Sequence, residues 1–340
     1  MRKLLIVFMA FTGLGMAQTA PAGEVIGVGN FLHVVSDAEK SVAFYQGVLG
    51  MDLQGAQPNG PRPYLTTPAI VNLYDAIGAQ YRVGTTQVQG SPMRAELVEW
   101  KDIERKPVHR RIQDPGAATM ILIVRDLDSI MARVKSSGTP IVTTGGEPVT
   151  LAEGKGTERA IIVKDPDGFF VQLAQIDPAP QTPAPASSNM LEVGFAFTVS
   201  NTDKMMHVFK DALGFQPTTG PFEADPARLK LMGTPGAKYR QTTSRVPGTS
   251  LHANFYEFKG IDRQPVHSHS RPRDPGSPML RLLVRDMDSV VKALAAAGAP
   301  VVSHESQPVT LVNPNGTIRA AIVSAPDNLL VQVMQQMPKQ

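Results

Sequence analysis

The chain contains no cysteine. That excludes disulfides, thiolate metal sites, cysteine nucleophiles and the attachment residue of a lipoprotein. Charge of one sign is also scarce. The formal charge is +3, and Arg2 and Lys3 stand in a segment expected to be removed, leaving 31 basic against 30 acidic residues. No Lys/Arg-rich run occurs, so no nucleic-acid partner is expected. Long apolar runs are missing too. The run from Leu4 to Leu14 is too short for a bilayer core of roughly 30 Å. With a basic start and Gly15-Met16-Ala17 behind it, residues 1–17 read as a secretory signal peptide. The mature protein is expected to be secreted or periplasmic, with no membrane association after cleavage.

What is present is repetition. In a chain of 340 residues, VRDLDSIMARVKSSGTPIV from Val124 returns as VRDMDSVVKALAAAGAPVV from Val284. EWKDIERKPVH from Glu99 returns as EFKGIDRQPVH from Glu257, and RAIIVKDPDGFFVQLAQ from Arg159 returns as RAAIVSAPDNLLVQVMQ from Arg319. Between the copies, residues 177–189 are rich in Pro and Ala, the composition of a linker. The repeat predicts two domains, 24–176 and 190–337.

Each copy is itself double. A short apolar strand leads to Asp or Asn, then to an amphipathic helix stopped by Gly. Ser36 or Asp37 caps the first helix, whose inward face is Val42, Tyr45 and Leu49; Gly50 suits the left-handed stop. Asp126 or Asp128 caps the second, with Ile130, Met131 and Val134 inward and Gly138 as its stop. Three alternating stretches follow each helix, the last pair joined by an Asp-Pro-Asp-Gly turn in the first copy. The chain therefore holds four β-α-β-β-β units.

SDAEKSVAFYQGVLGM, VRDLDSIMARVKSSG and VKDPDGFFVQLAQ resemble the vicinal oxygen chelate superfamily of glyoxalase I, bleomycin-resistance proteins and extradiol dioxygenases. The resemblance covers nearly the whole mature chain. It implies an α+β fold: four βαβββ modules paired into two glyoxalase-like open, curved-sheet domains with helices outside. It also implies a divalent metal held by four His or Glu side chains, one on the first and one on the last strand of each module. Carried over by position, those places in the first copy are Asn30, Glu96, Thr119 and Gln172. In the second they are Gly194, Asn254, Met279 and Gln332. One carboxylate among amides and a hydroxyl is a poor trap for a transition metal. No metal or other cofactor is therefore expected, a divalent metal remaining the alternative.

Other residues offer less. His33 lies three places beyond Asn30, so period-two geometry turns it to the opposite sheet face. His207 lies on a helix and His304 in a turn-like SHES. His252, His267 and His269 admit a rearranged site only if the fold brings them together. The doubled W/F-K-x-I-x-R-x-P-V-H element has two readings. Trp100, Ile103 and Pro107 pin a connection while Lys101, Arg105, His109, Lys259, Arg263 and His267 face water; or these basic groups form an anion-binding rim. Glu96 likewise is either a structural partner of Arg94 or a lysine, or a general base. Three functions stay open: small-molecule binding in cups lined by Phe31, Tyr81, Phe195 and Phe197; a lyase, isomerase or dioxygenase using Glu96 with or without a metal; and a structural or assembly module. The expected partner is a small-molecule ligand, and the chain is either a monomer through internal domain pairing or a homodimer.

Overall fold

A computed structural model describes residues 25–54, 62–88, 91, 93–264, 270–313 and 316–338. The signal-peptide segment and His267 and His269 lie outside the described residues. Module one contains β1 (Val25–Val35), β2 (Asp52–Gln54), β3 (Gln80–Gln87) and β4 (Arg94–Lys101); module two contains β5 (Ala118–Val124), β6 (Val149–Glu153), β7 (Gly156–Lys164) and β8 (Phe170–Asp177). Module three contains β9 (Met190–Val199), β10 (Thr218–Thr219), β11 (Lys238–Arg245) and β12 (His252–Lys259). Module four contains β13 (Pro278–Val284), β14 (Val309–Asn313), β15 (Gly316–Ala325) and β16 (Leu329–Gln336).

These sixteen strands make two curved sheets, and neither follows the boundary of the repeat. Sheet A runs β14-β15-β16-β13-β1-β4-β3-β2, and sheet B runs β10-β11-β12-β9-β5-β8-β7-β6. Sheet A thus joins modules one and four through the antiparallel β1–β13 pair, and sheet B joins two and three through β5–β9. Each sheet takes one module from each copy.

Helices α1 (Ala38–Val42), α3 (Leu127–Ser136), α4 (Thr202–Met206) and α6 (Met287–Ala296) follow the first strand of each module. Their caps are side chains that satisfy otherwise unpaired amides: Asp37, Asp126, Asn201 and Asp286 each accept from the first helical turn. The helix expected between Asp37 and Gly50 is α1 continued by a π-turn, Ala43–Val48, and stops at Gly50 with φ +79°. The four helices and one face of both sheets enclose a single core, in which Phe31 and Phe195 stack at 5.3 Å.

The opposite face of each sheet, the cup face, is covered by a second type of helix. α2 (Pro68–Leu73) lies over sheet A and α5 (Pro226–Leu231) over sheet B, each between the second and third strands of its module. Leu73 and Tyr74 pack there with Leu32, Val98 and Trp100; Leu229 and Leu231 pack with Ile162, Phe170 and Phe258. Of the aromatics expected to line the cups, only Tyr81 does. Phe31, Phe195 and Phe197 belong to the shared core on the other face, because odd and even strand residues alternate and the ligand positions had already claimed one parity.

Candidate functional site

The sheet pairing redistributes the eight positions carried over from the metal-binding pattern. Asn30 on β1, Glu96 on β4, Met279 on β13 and Gln332 on β16 share sheet A. Thr119 on β5, Gln172 on β8, Gly194 on β9 and Asn254 on β12 share sheet B. Asn30, Glu96, Thr119 and Gln172 thus do not converge on one point. The physical reason is strand pairing: the first strand of each module docks on the first strand of a module from the other copy.

On sheet A the centre is filled by Arg281. Its Nη1 and Nη2 each donate to one oxygen of Glu96 at 3.0 Å, and its Nε donates to Gln332 Oε1 at 2.6 Å. Asn30 Nδ2 donates to Glu96 Oε1 from the far side. The guanidinium reaches this point because Gly29 leaves room: a Cβ there would lie 2.6 Å from Arg281 Cδ. Met279, the expected third position, points to the same face two residues earlier but is wholly buried against Leu32 and Leu330.

Electrostatics follow the geometry. Burial by itself would push the Glu96 carboxyl up, yet the fork of Arg281, with Asn30 beside it, outweighs burial and holds it below the usual carboxylate range. Burial likewise works against the Arg281 charge, and Glu96 overcomes that too. The bidentate pair gives both charges their hydrogen bonds, the condition under which a desolvated ion pair is tolerable. Neither Arg94, which donates to Gln87, nor a lysine is the principal partner of Glu96.

The residues do not fit the divalent metal that the resemblance implies. A guanidinium already stands among the ligand positions of sheet A, engages the only carboxylate there, and would repel a second cation. On sheet B the position of Arg281 is taken by Ile121, which faces Gly194 and Gln172. Gln172 donates to Glu158 at 2.7 Å, and Asn254 Oδ1 accepts from Thr243 and Gln241. Between Thr119, Gln172, Arg228 and Tyr256 there remains a cavity of about 10 Å³, room for about one water.

The remaining candidates are dispersed. His33 faces away from the cup, as its parity requires. Its ring packs on Phe169 at 4.7 Å, and Nε2 lies 2.9 Å from Asp165 Oδ2 though off the axis of a hydrogen bond. His207 pairs with Asp211 on the surface, and His252 sits at the start of β12. In the doubled basic element, Lys101 lies 4.0 Å over the Tyr64 ring and Lys259 4.0 Å over Phe222. Arg105 reaches the Ser36 carbonyl at 3.5 Å, His109 lies beside Gly168, and Arg263 Nη1 is buried without a hydrogen-bond partner among the described residues. The connections that carry this element cross-brace each other: Asp114 accepts from the Gln264 amide and Asp274 from the Lys106 amide.

Sequence reasoning missed Arg281. The signal was there: a lone cation inside the apolar strand PMLRLLV, where a buried charge demands a partner.

The space that could take a ligand lies at the rims. Beside α5, Pro226, Leu229, Pro235 and Ala237 line an apolar groove of about 300 Å³ edged by Lys230 and Lys238.

Residues 27–173 match the model of the Glyoxalase/Bleomycin resistance protein/Dioxygenase superfamily. No curated protein sequence matches the chain. Among solved structures, glyoxalase I from Zea mays is similar at 15% identity and TM-score 0.56, with 92% of both chains covered. A putative dioxygenase from Bacillus subtilis is similar at 11% identity and TM-score 0.54, covering 94% of this chain and 87% of its own. Those likenesses speak for the fold. Residues 27–173 are thus similar to the glyoxalase/bleomycin resistance protein/dioxygenase superfamily, and the second half repeats their succession of strands and helices.

Proposed function

We propose that this is an exported, metal-free binding protein that holds a small, partly apolar anion in the groove beside α5. The observation that carries the metal-free part is the bidentate Arg281–Glu96 pair, which puts a cation of the protein's own where the superfamily pattern would place a metal. The same pair speaks against Glu96 as a general base, since a carboxylate held below its usual range is a weak base and would lose its pairing with Arg281 on taking a proton. The groove supports the ligand class. Its volume of about 300 Å³ suits a small molecule, its walls are apolar, and Lys230 and Lys238 supply positive charge at the edge.

Two measurements test this. Metal analysis of the purified full chain should find no near-stoichiometric Zn, Ni, Fe or Mn; a tightly held ion lost in Glu96→Gln overturns the metal-free reading. Calorimetric titration with octanoate should show saturable binding that weakens about tenfold, or 1.4 kcal/mol, when Lys230 and Lys238 are both changed to Ala. Absence of octanoate binding, or affinity unmoved by the double substitution, overturns the groove.

A further inference from the structure

Six described residues other than glycine have a left-handed backbone: Asp75, Asp102, Glu305, Ser306, Asp327 and Asn328. Four of them are Asp or Asn, which tolerate that conformation by bonding locally. Glu305 and Ser306, at φ +55° and +56°, have no such excuse. They are adjacent, and they stand at the rim of sheet A. The internal repeat shows what backbone economy would place there. SHESQPVTL matches TTGGEPVTL, so Glu305 and Ser306 fall on Gly145 and Gly146, which adopt φ +86° and +71°. Asp75, at φ +48°, falls on Gly233, at φ +64°. Three glycine places beside sheet B are non-glycine places beside sheet A, and all three of the latter gather at one location.

That location is built from three separate segments. Asp75 follows α2, His304 precedes β14, and Arg273 lies on the connection into β13. Asp75 Oδ1 lies 3.1 Å from His304 Nδ1, and Oδ2 accepts from Arg273 Nη1 at 3.1 Å. Arg273 also donates to the Asp75 carbonyl. The corresponding residues of the other lobe are Gly233, Thr144 and Gln113, so the charged set is absent as a set. Beside it opens a groove of about 330 Å³, into which His304, Glu305, Asn72, Gln307 and Thr310 project polar groups and Pro308 an apolar edge.

We infer that this groove is a second binding site, for a small neutral ligand rich in hydroxyl groups, the chemistry of a monosaccharide or cyclic polyol. The side chains around it offer donors and acceptors in mixture, as neighbouring hydroxyls require. The Arg273 charge is engaged by Asp75, which leaves no surplus cation for an anionic ligand, and no described group of three His, Asp or Glu stands ready for a metal. Asp75 fixes the His304 ring through Nδ1, and the other ring nitrogen lies 4.0 Å from Glu305 Oε1, a gap that a ligand hydroxyl can bridge by accepting from one and donating to the other. Non-glycine residues kept in a costly conformation at one place are the mark of a selected site rather than of packing. The inference stands apart from the groove beside α5, which uses other residues.

The full chain should be titrated calorimetrically with D-glucose, D-ribose and myo-inositol up to about 50 mM, a range that detects millimolar affinity. At least one should bind saturably, and His304→Ala should weaken it about tenfold or more. The paired substitution Glu305→Gly with Ser306→Gly should weaken the same ligand while raising Tm by about 2 °C or more, because glycine relieves the backbone. Absence of binding by all three compounds, affinity unmoved by His304→Ala, or a Tm that fails to rise in the glycine pair each overturns the inference.

Discussion

The two sheets are built from the same modules, yet their centres have gone separate ways. On sheet A a carboxylate faces a guanidinium, Glu96 with Arg281; the matching residues of sheet B are Asn254 and Ile121. Under the helices the contrast recurs. In the first copy His33, Asp165 and the Tyr45 hydroxyl form a buried polar cluster, with Tyr45 donating to Asp165 at 3.2 Å. Burial, then the negative charge of Asp165, pushes the Tyr45 phenol well above its ordinary pKa. In the second copy the same places hold Phe197, Ala325 and Phe209, all within the apolar core. Partners differ together in both cases. A buried charge or polar atom whose partner vanishes is costly, whereas loss of the whole set is tolerated. The sheets in the one case and the copies in the other therefore differ by sets of residues and not one residue at a time.

The sharpest way to break this comparison is to remove one member of the Arg281–Glu96 pair. Arg281→Met should cost about 3–5 kcal/mol in denaturant unfolding, because it strands Glu96; Ile121→Met, its counterpart, should cost less than about 1.5 kcal/mol. Installing the sheet B solution, Glu96→Asn with Arg281→Ile, should recover most of the loss. Equal costs in the two lobes would show that the pair is not the joint described here.

A smaller effect is expected beneath the helices. Asp165→Ala alone should destabilise by about 1–3 kcal/mol, leaving the Tyr45 hydroxyl without its acceptor and His33 without the carboxylate beside it. Adding His33→Phe and Tyr45→Phe, which completes the apolar set, should bring stability back toward the parent; a triple variant worse than the single would refute the set-wise account.

The smallest effect is one of pH. The Glu96 carboxyl titrates lower in the folded chain than in the unfolded chain. Its contribution is therefore full above the unfolded value of about 4.5 and declines as pH falls through the folded one. The Tm gap between the parent and the Glu96→Asn, Arg281→Ile variant should stay constant at neutral pH and narrow only on acidification below about 4.5. A gap that narrows near neutrality would place another group in control.

Much of the scaffold could be read from residues alone. Asp37 and Asp126 announced their helices by capping chemistry, Gly50 and Gly138 their ends, and the parity that separates Asn30 from His33 held. Local signals cannot say which module pairs with which, because a repeat makes two partners equally plausible for every edge. Hence Thr119 and Asn30 were grouped by copy and stand on different sheets. Arg281 escaped for another reason. The position carried over was Met279, and the long arginine side chain enters from two residues farther along the strand, through space opened by Gly29. His304 looked uninformative because its meaning depends on Asp75, far away in sequence and 3.1 Å away in space.

The exchange of modules between sheets has a consequence for the linker. A first copy standing alone would expose the long flanks of β1 and β5, since β13 and β9 both belong to the second. Unpaired flanks of that kind invite association with whatever strand is at hand. Residues 178–189, which join β8 to β9, keep both copies in one polypeptide, so each of these flanks meets its mate at high local concentration.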